Sequence, residues 1–109
     1  MAKNSKSTHQ NQPPDLGECL ATNYIAEGKQ QVGFMYREQP EDEFDSGWRF
    51  LTGTEDDEYM DNPANYSMIA VDYLLSIDPS VRNFLSRSIG TELERVENTN
   101  RFEVYAVEE

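Results

Sequence analysis

From Gln31 to Glu38 the chain alternates, with Val32, Phe34 and Tyr36 on one side and Gly33, Met35 and Arg37 on the other. A period of two predicts a β-strand. After the acidic loop QPEDEFDSG, Trp48-Arg49-Phe50-Leu51-Thr52 resumes the extended pattern, so a meander through that loop is the simplest connection. Upstream, Glu18 to Ala21 reads as a short strand and Thr22 to Glu27 as a helical turn. Gly28 follows, suited to a left-handed helix stop. Downstream, Gly53-Thr54 opens a helix with Thr54 as its cap and Asp57 three residues on. Glu55, Asp56 and Asp57 complement the positive end of its dipole, and Asn62-Pro63 ends it. Tyr66 to Val71 is the next strand. Asp78-Pro79 begins another helix, with Asp as N-cap and Pro at the first position. Val81, Phe84 and Leu85 form its apolar face, Arg82 and Arg87 lie elsewhere, and Gly90 marks its far boundary. Thr91 to Val96 and Arg101 to Val107 form a hairpin around Glu97-Asn98-Thr99-Asn100. In its second strand Phe102, Val104 and Ala106 point one way, Glu103 and Tyr105 the other. The sum is an α+β fold, a small single domain with a mostly antiparallel sheet and short helices packed on one face.

At 109 residues the chain has room for one modest core, burying roughly two-thirds of its unfolded surface. Residues 1–14 are polar and end in Pro13-Pro14, reading as a disordered tail that carries two lysines and His9. The domain is expected over 15–109. No stretch has the apolar core of a signal peptide, and no run of about eighteen apolar residues spans a membrane. A single cysteine, Cys19, forms no internal disulfide, which fits a reducing compartment. It reads as a small buried apolar residue. A cytoplasmic protein is the expectation.

The net charge of −12 disfavours nucleic acid and anionic membranes as partners and makes basic proteins the electrostatic complement. Solubility is the plainer use of the same charge. Zinc would need several Cys or His ligands, and only Cys19 and His9 are present. The segments EDEFD and EDDEYMD lack the spacing and central glycine of a calcium loop. Neither Ser46 nor Cys19 has an ordered histidine as base. Among twenty-one carboxylates some pair will lie close by chance, so the carboxylate pair of a hydrolase carries little weight. No catalytic residue, metal ligand or cofactor is assigned, and no enzyme is expected.

Ten of those carboxylates fall between Tyr36 and Pro63, around Trp48-Arg49. A tryptophan beside an arginine has the chemistry of an interface anchor, whereas alternation with Phe50 favours Trp48 in the core. Arg49 then points the other way, where it and Arg37 can pair with the acidic loop and hold it as a rigid surface. Tyr36-Arg37-Glu38, Pro40, Asp45-Ser46-Gly47-Trp48-Arg49-Phe50, Gly53, Glu55-Asp56, Tyr59 and Asp61-Asn62-Pro63 resemble the immunity protein 33 family. Those bacterial domains were long of unknown function and are predicted to act in polymorphic toxin systems. The resemblance runs more loosely through Asn65, Asp78-Pro79 and Leu85 to Gly90.

The resemblance implies an α+β domain that binds and neutralises a cognate protein toxin in the bacterial cytoplasm; action without catalysis, as a monomer or weak homodimer, is the accompanying expectation. On that reading an acidic surface of Glu41, Asp42, Glu43, Asp45, Glu55, Asp56, Asp57, Glu58 and Asp61 meets a basic face of the toxin. Tyr36, Arg37, Trp48, Arg49 and Tyr59 form the core or anchor of the motif. The alternative is a small-ligand-binding or regulatory domain with a pocket near Trp48, lined by Tyr36, Trp48 and Tyr59.

Overall fold

In the computed structural model, which describes residues 16–106, six strands hydrogen-bond into one sheet. They are β1 (Glu18–Thr22), β2 (Phe34–Arg37), β3 (Asp45–Leu51), β4 (Tyr66–Ala70), β5 (Glu92–Arg95) and β6 (Phe102–Ala106). Their spatial order is β4-β1-β3-β2-β5-β6. The chain makes β1, passes through α1 (Asn23–Ala26), descends β2, and sends β3 back up between β1 and β2. That insertion makes β1 and β3 parallel, while the other four pairings are antiparallel. The expected α+β fold with a mostly antiparallel sheet is what the chain forms. The polar tail expected over 1–14, with His9 and both lysines, lies outside the described residues.

One face of the sheet builds the core. Cys19, Ala21, Met35, Trp48, Phe50 and Leu93 project from the strands onto Ile25 of α1, Val71, Leu74 and Leu75 of α3 (Val71–Ile77), and Val81. The central strand β3 is the most protected, with every residue but Ser46 buried. Trp48 and Phe50 stack there with ring centroids 6.1 Å apart. A seven-residue helix was not anticipated between Tyr66 and Asp78. Its signal is nevertheless present, because Val71, Leu74 and Leu75 recur at the i, i+3, i+4 spacing of one helix face.

Three local expectations need correction. The alternation over Gln31 to Glu38 holds only within Phe34–Arg37. Met35 is the core residue, Phe34 and Tyr36 face away, and Val32 is buried ahead of the strand, with its N–H on Asp78. Thr54 does not cap the next helix. Its hydroxyl meets Thr52, and Asp56 caps α2 (Asp57–Met60) by accepting the Tyr59 N–H at 2.8 Å. The segment after Asp78 is 3₁₀ over Pro79–Phe84, with Asp78 accepting from Ser80 N–H. Asp78 also pairs with Arg95, Nη2 to Oδ2 2.6 Å, which ties this turn to β5.

Gly47 sits inside β3 at φ +87°, a conformation that strains any residue with a Cβ. A Cβ there would also collide with the Glu38 carbonyl oxygen, a fixed backbone atom. Gly47→Ala is therefore expected to cost more than about 2 kcal/mol. A chemical denaturation curve is the check, and a midpoint equal to wild type would refute it.

Candidate functional site

The acidic loop gathers its polar contacts around Arg49. Its side chain leaves β3 on the face opposite Trp48, in register with Leu20 on β1 and Tyr36 on β2. It is only 3% exposed. Nη1 and Nη2 each donate to one carboxylate oxygen of Asp45, both at 2.9 Å, and Nε donates to Glu38 at 2.5 Å. Asp45 also accepts the N–H groups of Glu41 and Gly47. Hydrogen bonding from Arg49 holds the Asp45 carboxyl well below the usual carboxylate range, against the opposing effect of burial and with help from those two N–H groups. Asp42 completes the turn by accepting from the Phe44 and Asp45 N–H groups. The acidic loop is thus folded around one guanidinium.

Arg37 behaves differently from expectation. It makes no carboxylate pair among the described residues, and instead donates to the carbonyls of Ser46 (2.9 Å) and Arg87 (2.7 Å). Its guanidinium lies 5.7 Å from the Trp48 ring centroid, while the Trp48 indole N–H donates to the Leu85 carbonyl. Trp48 is a sealed core residue. Tyr59 stacks on Tyr24 at 4.9 Å and Tyr36 projects from the other face. The anticipated pocket lined jointly by Tyr36, Trp48 and Tyr59 does not form, because strand alternation separates Tyr36 from Trp48.

The nine acidic candidates fall into two groups. Glu41, Asp42 and Glu43 precede β3 and Asp45 opens it, while Glu55, Asp56, Asp57, Glu58 and Asp61 follow it. A seven-residue strand sets these groups about 20 Å apart. Asp45 is buried in the arginine pair. Glu55 accepts from Thr22 Oγ1, Thr52 N and Gly53 N at 2.8–3.0 Å. Burial opposes its ionisation, but these hydrogen bonds outweigh burial and lower its pKa. Glu41, Asp42, Glu43, Asp56, Asp57, Glu58 and Asp61 remain exposed, with Asp42 and Asp56 also accepting backbone N–H groups.

The face of the sheet opposite the core holds a feature the sequence reading missed. Phe34, Tyr36, Leu51, Met60, Tyr66 and Tyr105 line a groove of about 520 Å³, with Glu55 and Glu94 at its margin. Tyr105 meets Phe34 edge-on at 5.7 Å. Burial raises the pKa of Tyr36 and Tyr66, reinforced by Glu38 at the first and by Glu55 and Asp61 at the second. Alternation puts Phe34 and Tyr36 on one side of β2 and Met35 on the other, but grouping them with Val32, which is buried ahead of the strand, hides that theirs is the open side.

No group of three or more potential metal ligands converges among the described residues. Within the same limits, no helix is long and apolar enough to cross a membrane. Burial pushes the Cys19 thiol up to about 12, with the nearby Arg49 charge opposing. Native protein at pH 8 is therefore expected to resist a thiol reagent such as Ellman's, and rapid labelling would contradict the assignment.

Because the Asp45 pKa is depressed on folding, its stabilisation is complete above the unfolded carboxylate value of about 4. It is lost as pH falls through the folded value. Asp45→Asn should cost about 3 kcal/mol at pH 7, since it strips the main counter-charge from a buried guanidinium. The same variant should flatten the fall in stability below about pH 4. Urea titrations at pH 7 and pH 3 test both effects; equal losses at the two pH values would exclude this role.

A family model described as the immunity protein Imm33 domain matches residues 19–105. No curated protein and no solved structure matches the chain.

Proposed function

The chain belongs to the immunity protein Imm33 domain family, and from that premise we propose that it binds a cognate bacterial toxin in the cytoplasm and neutralises it by occupancy, without chemistry of its own. The observation that carries this reading is the extent of the match, which spans all six strands from Cys19 to Tyr105. Three features of the molecule support it. The net charge of −12 favours a basic partner and speeds its capture by long-range attraction. The loop bearing Glu41 and Glu43 is held by the buried Arg49–Asp45 pair, so little ordering entropy is lost on binding. The sheet face opposite the core leaves Phe34, Tyr36 and Tyr105 at least partly exposed.

The acidic contact is divided. Glu41 and Glu43 serve one end of β3, while Asp57, Glu58 and Asp61 serve the other. Asp45 acts by shaping the first end, and Glu55 by fixing the turn at the second. A toxin that cleaves nucleic acid has a basic cleft for phosphates, and either acidic end matches such a cleft.

The test is capture of the partner with the tagged chain from cells producing the toxin, at low and moderate salt, followed by mass spectrometry. One dominant basic partner lost as salt rises supports the proposal; clean bait in cells shown to contain the toxin removes it. With that partner, the double variant Glu41→Lys/Glu43→Lys should associate about tenfold more slowly at low salt, with an unchanged urea midpoint. Asp42 is left in place because its carboxylate holds the turn. Association at the wild-type rate would take the first acidic end out of the interface.

A further inference from the structure

The polar recess beside Arg95 is already committed, because that guanidinium serves Asp78, Val32 and Thr99. The aromatic groove on the open sheet face is not. We propose that this groove is the socket for an arginine or lysine side chain of the protein partner, making the open face of the sheet a principal contact with the toxin. The inference rests on the toxin-binding reading above and deepens it.

The walls have the chemistry a cationic side chain requires. Phe34, Tyr36, Tyr66 and Tyr105 present ring faces and edges, and Leu51 and Met60 offer aliphatic surface to the stem of an arginine or lysine. A cation over an aromatic ring is attracted by its quadrupole, and long basic side chains bury their methylenes while the charged head finds polar partners. The chain uses this interaction elsewhere: Arg37 lies over Trp48, Arg87 over Phe84 and Arg95 over Phe102, at 4.8–5.7 Å. Among the described residues, no such cation covers a ring of the groove.

Charge points the same way. Glu55 and Glu94 stand at the margin, and the register places Glu92 on the same face, beside Tyr36, and Glu103 opposite Glu94. The arginine projecting from β3 on this face, Arg49, is buried and consumed by Asp45 and Glu38. Glu55 is pre-oriented by three hydrogen bonds, leaving roughly one of a carboxylate's four or so acceptor positions for a visiting donor. An anionic ligand would meet only like charge at this margin.

The test uses the full chain, labelled with ¹⁵N, and three probe peptides: acetyl-Gly-Arg-Gly-amide and its lysine and norleucine counterparts. Both basic peptides should shift the amides of Phe34, Leu51, Gly53, Tyr66 and Tyr105, and norleucine should shift them little. Glu94→Lys and Tyr105→Ala should each weaken binding of the basic peptides about tenfold. Both residues are exposed, so the variants keep the fold, and unchanged amide positions elsewhere confirm it. Equal shifts with norleucine, or shifts confined to residues 41–45, overturn the socket. Self-association that is lost in Tyr105→Ala assigns the face to a second copy and overturns it too. If the captured toxin binds both variants as tightly as wild type, the socket falls while toxin binding stands. If the basic peptides fill the groove but no toxin is captured, toxin binding falls and the socket holds for another basic partner.

Discussion

A guanidinium placed in the central strand of a sheet must be paired or the sheet does not form. Burying an isolated charge costs far more than the few kcal/mol by which a small domain is stable. Arg49 meets that demand with a two-pronged bond to Asp45 and a third contact to Glu38. Much of the neighbouring geometry follows. Asp45 must lie four residues earlier on the same strand, so the chain has to turn sharply before it. Its spare acceptor positions gather the Glu41 and Gly47 N–H groups, and Gly47 must accept a left-handed conformation for the strand to continue. Such pairs add little net stability over a hydrophobic substitute. What this one supplies is a fixed shape for a loop that mutual repulsion among its carboxylates would otherwise open.

The same logic explains much of the dense motif between Tyr36 and Pro63. Asp45 and Arg49 form the buried ion pair with the exposed Glu38 at its edge, Trp48 and Phe50 the core stack, and Glu55 the clamp on the turn after β3. Asp56 and Asn62 cap the two short helical segments that follow. Most of these residues therefore build scaffold. The exposed acids are distributed around them, and the aromatic groove lies against the scaffold's outer face.

How much of this was legible depended on the range of the interaction. Strands announced by alternation and turn residues were readable, as were the Asp78-Pro79 start and the final hairpin, because their signals are local. Helix α3 was readable in principle from Val71, Leu74 and Leu75. The cap at Asp56 was not separable from Thr54, since either fits the local chemistry and only the Thr52–Thr54 hydroxyl contact decides between them. Which side of β2 meets the core was the weakest point, because alternation separates two faces without saying which is buried. Placing Val32 with Phe34 and Tyr36 hid the groove. The separation of the two acidic groups was equally invisible, because sequence proximity conceals that β3 carries the chain across the sheet between them.

The two faces of this sheet also divide the protein's optical probes. The chain has one tryptophan, and Trp48 is sealed on the core side with its indole committed to Leu85. Tyr36, Tyr66 and Tyr105 stand on the other. Tryptophan emission therefore follows whether the domain is folded and is largely blind to what sits on the open face. Tyrosine absorbance carries a signal from that face, diluted by Tyr24, Tyr59 and Tyr73, which stand outside the groove. One unlabelled sample thus reports folding through Trp48, and occupancy of the groove through the tyrosine difference between free and bound states.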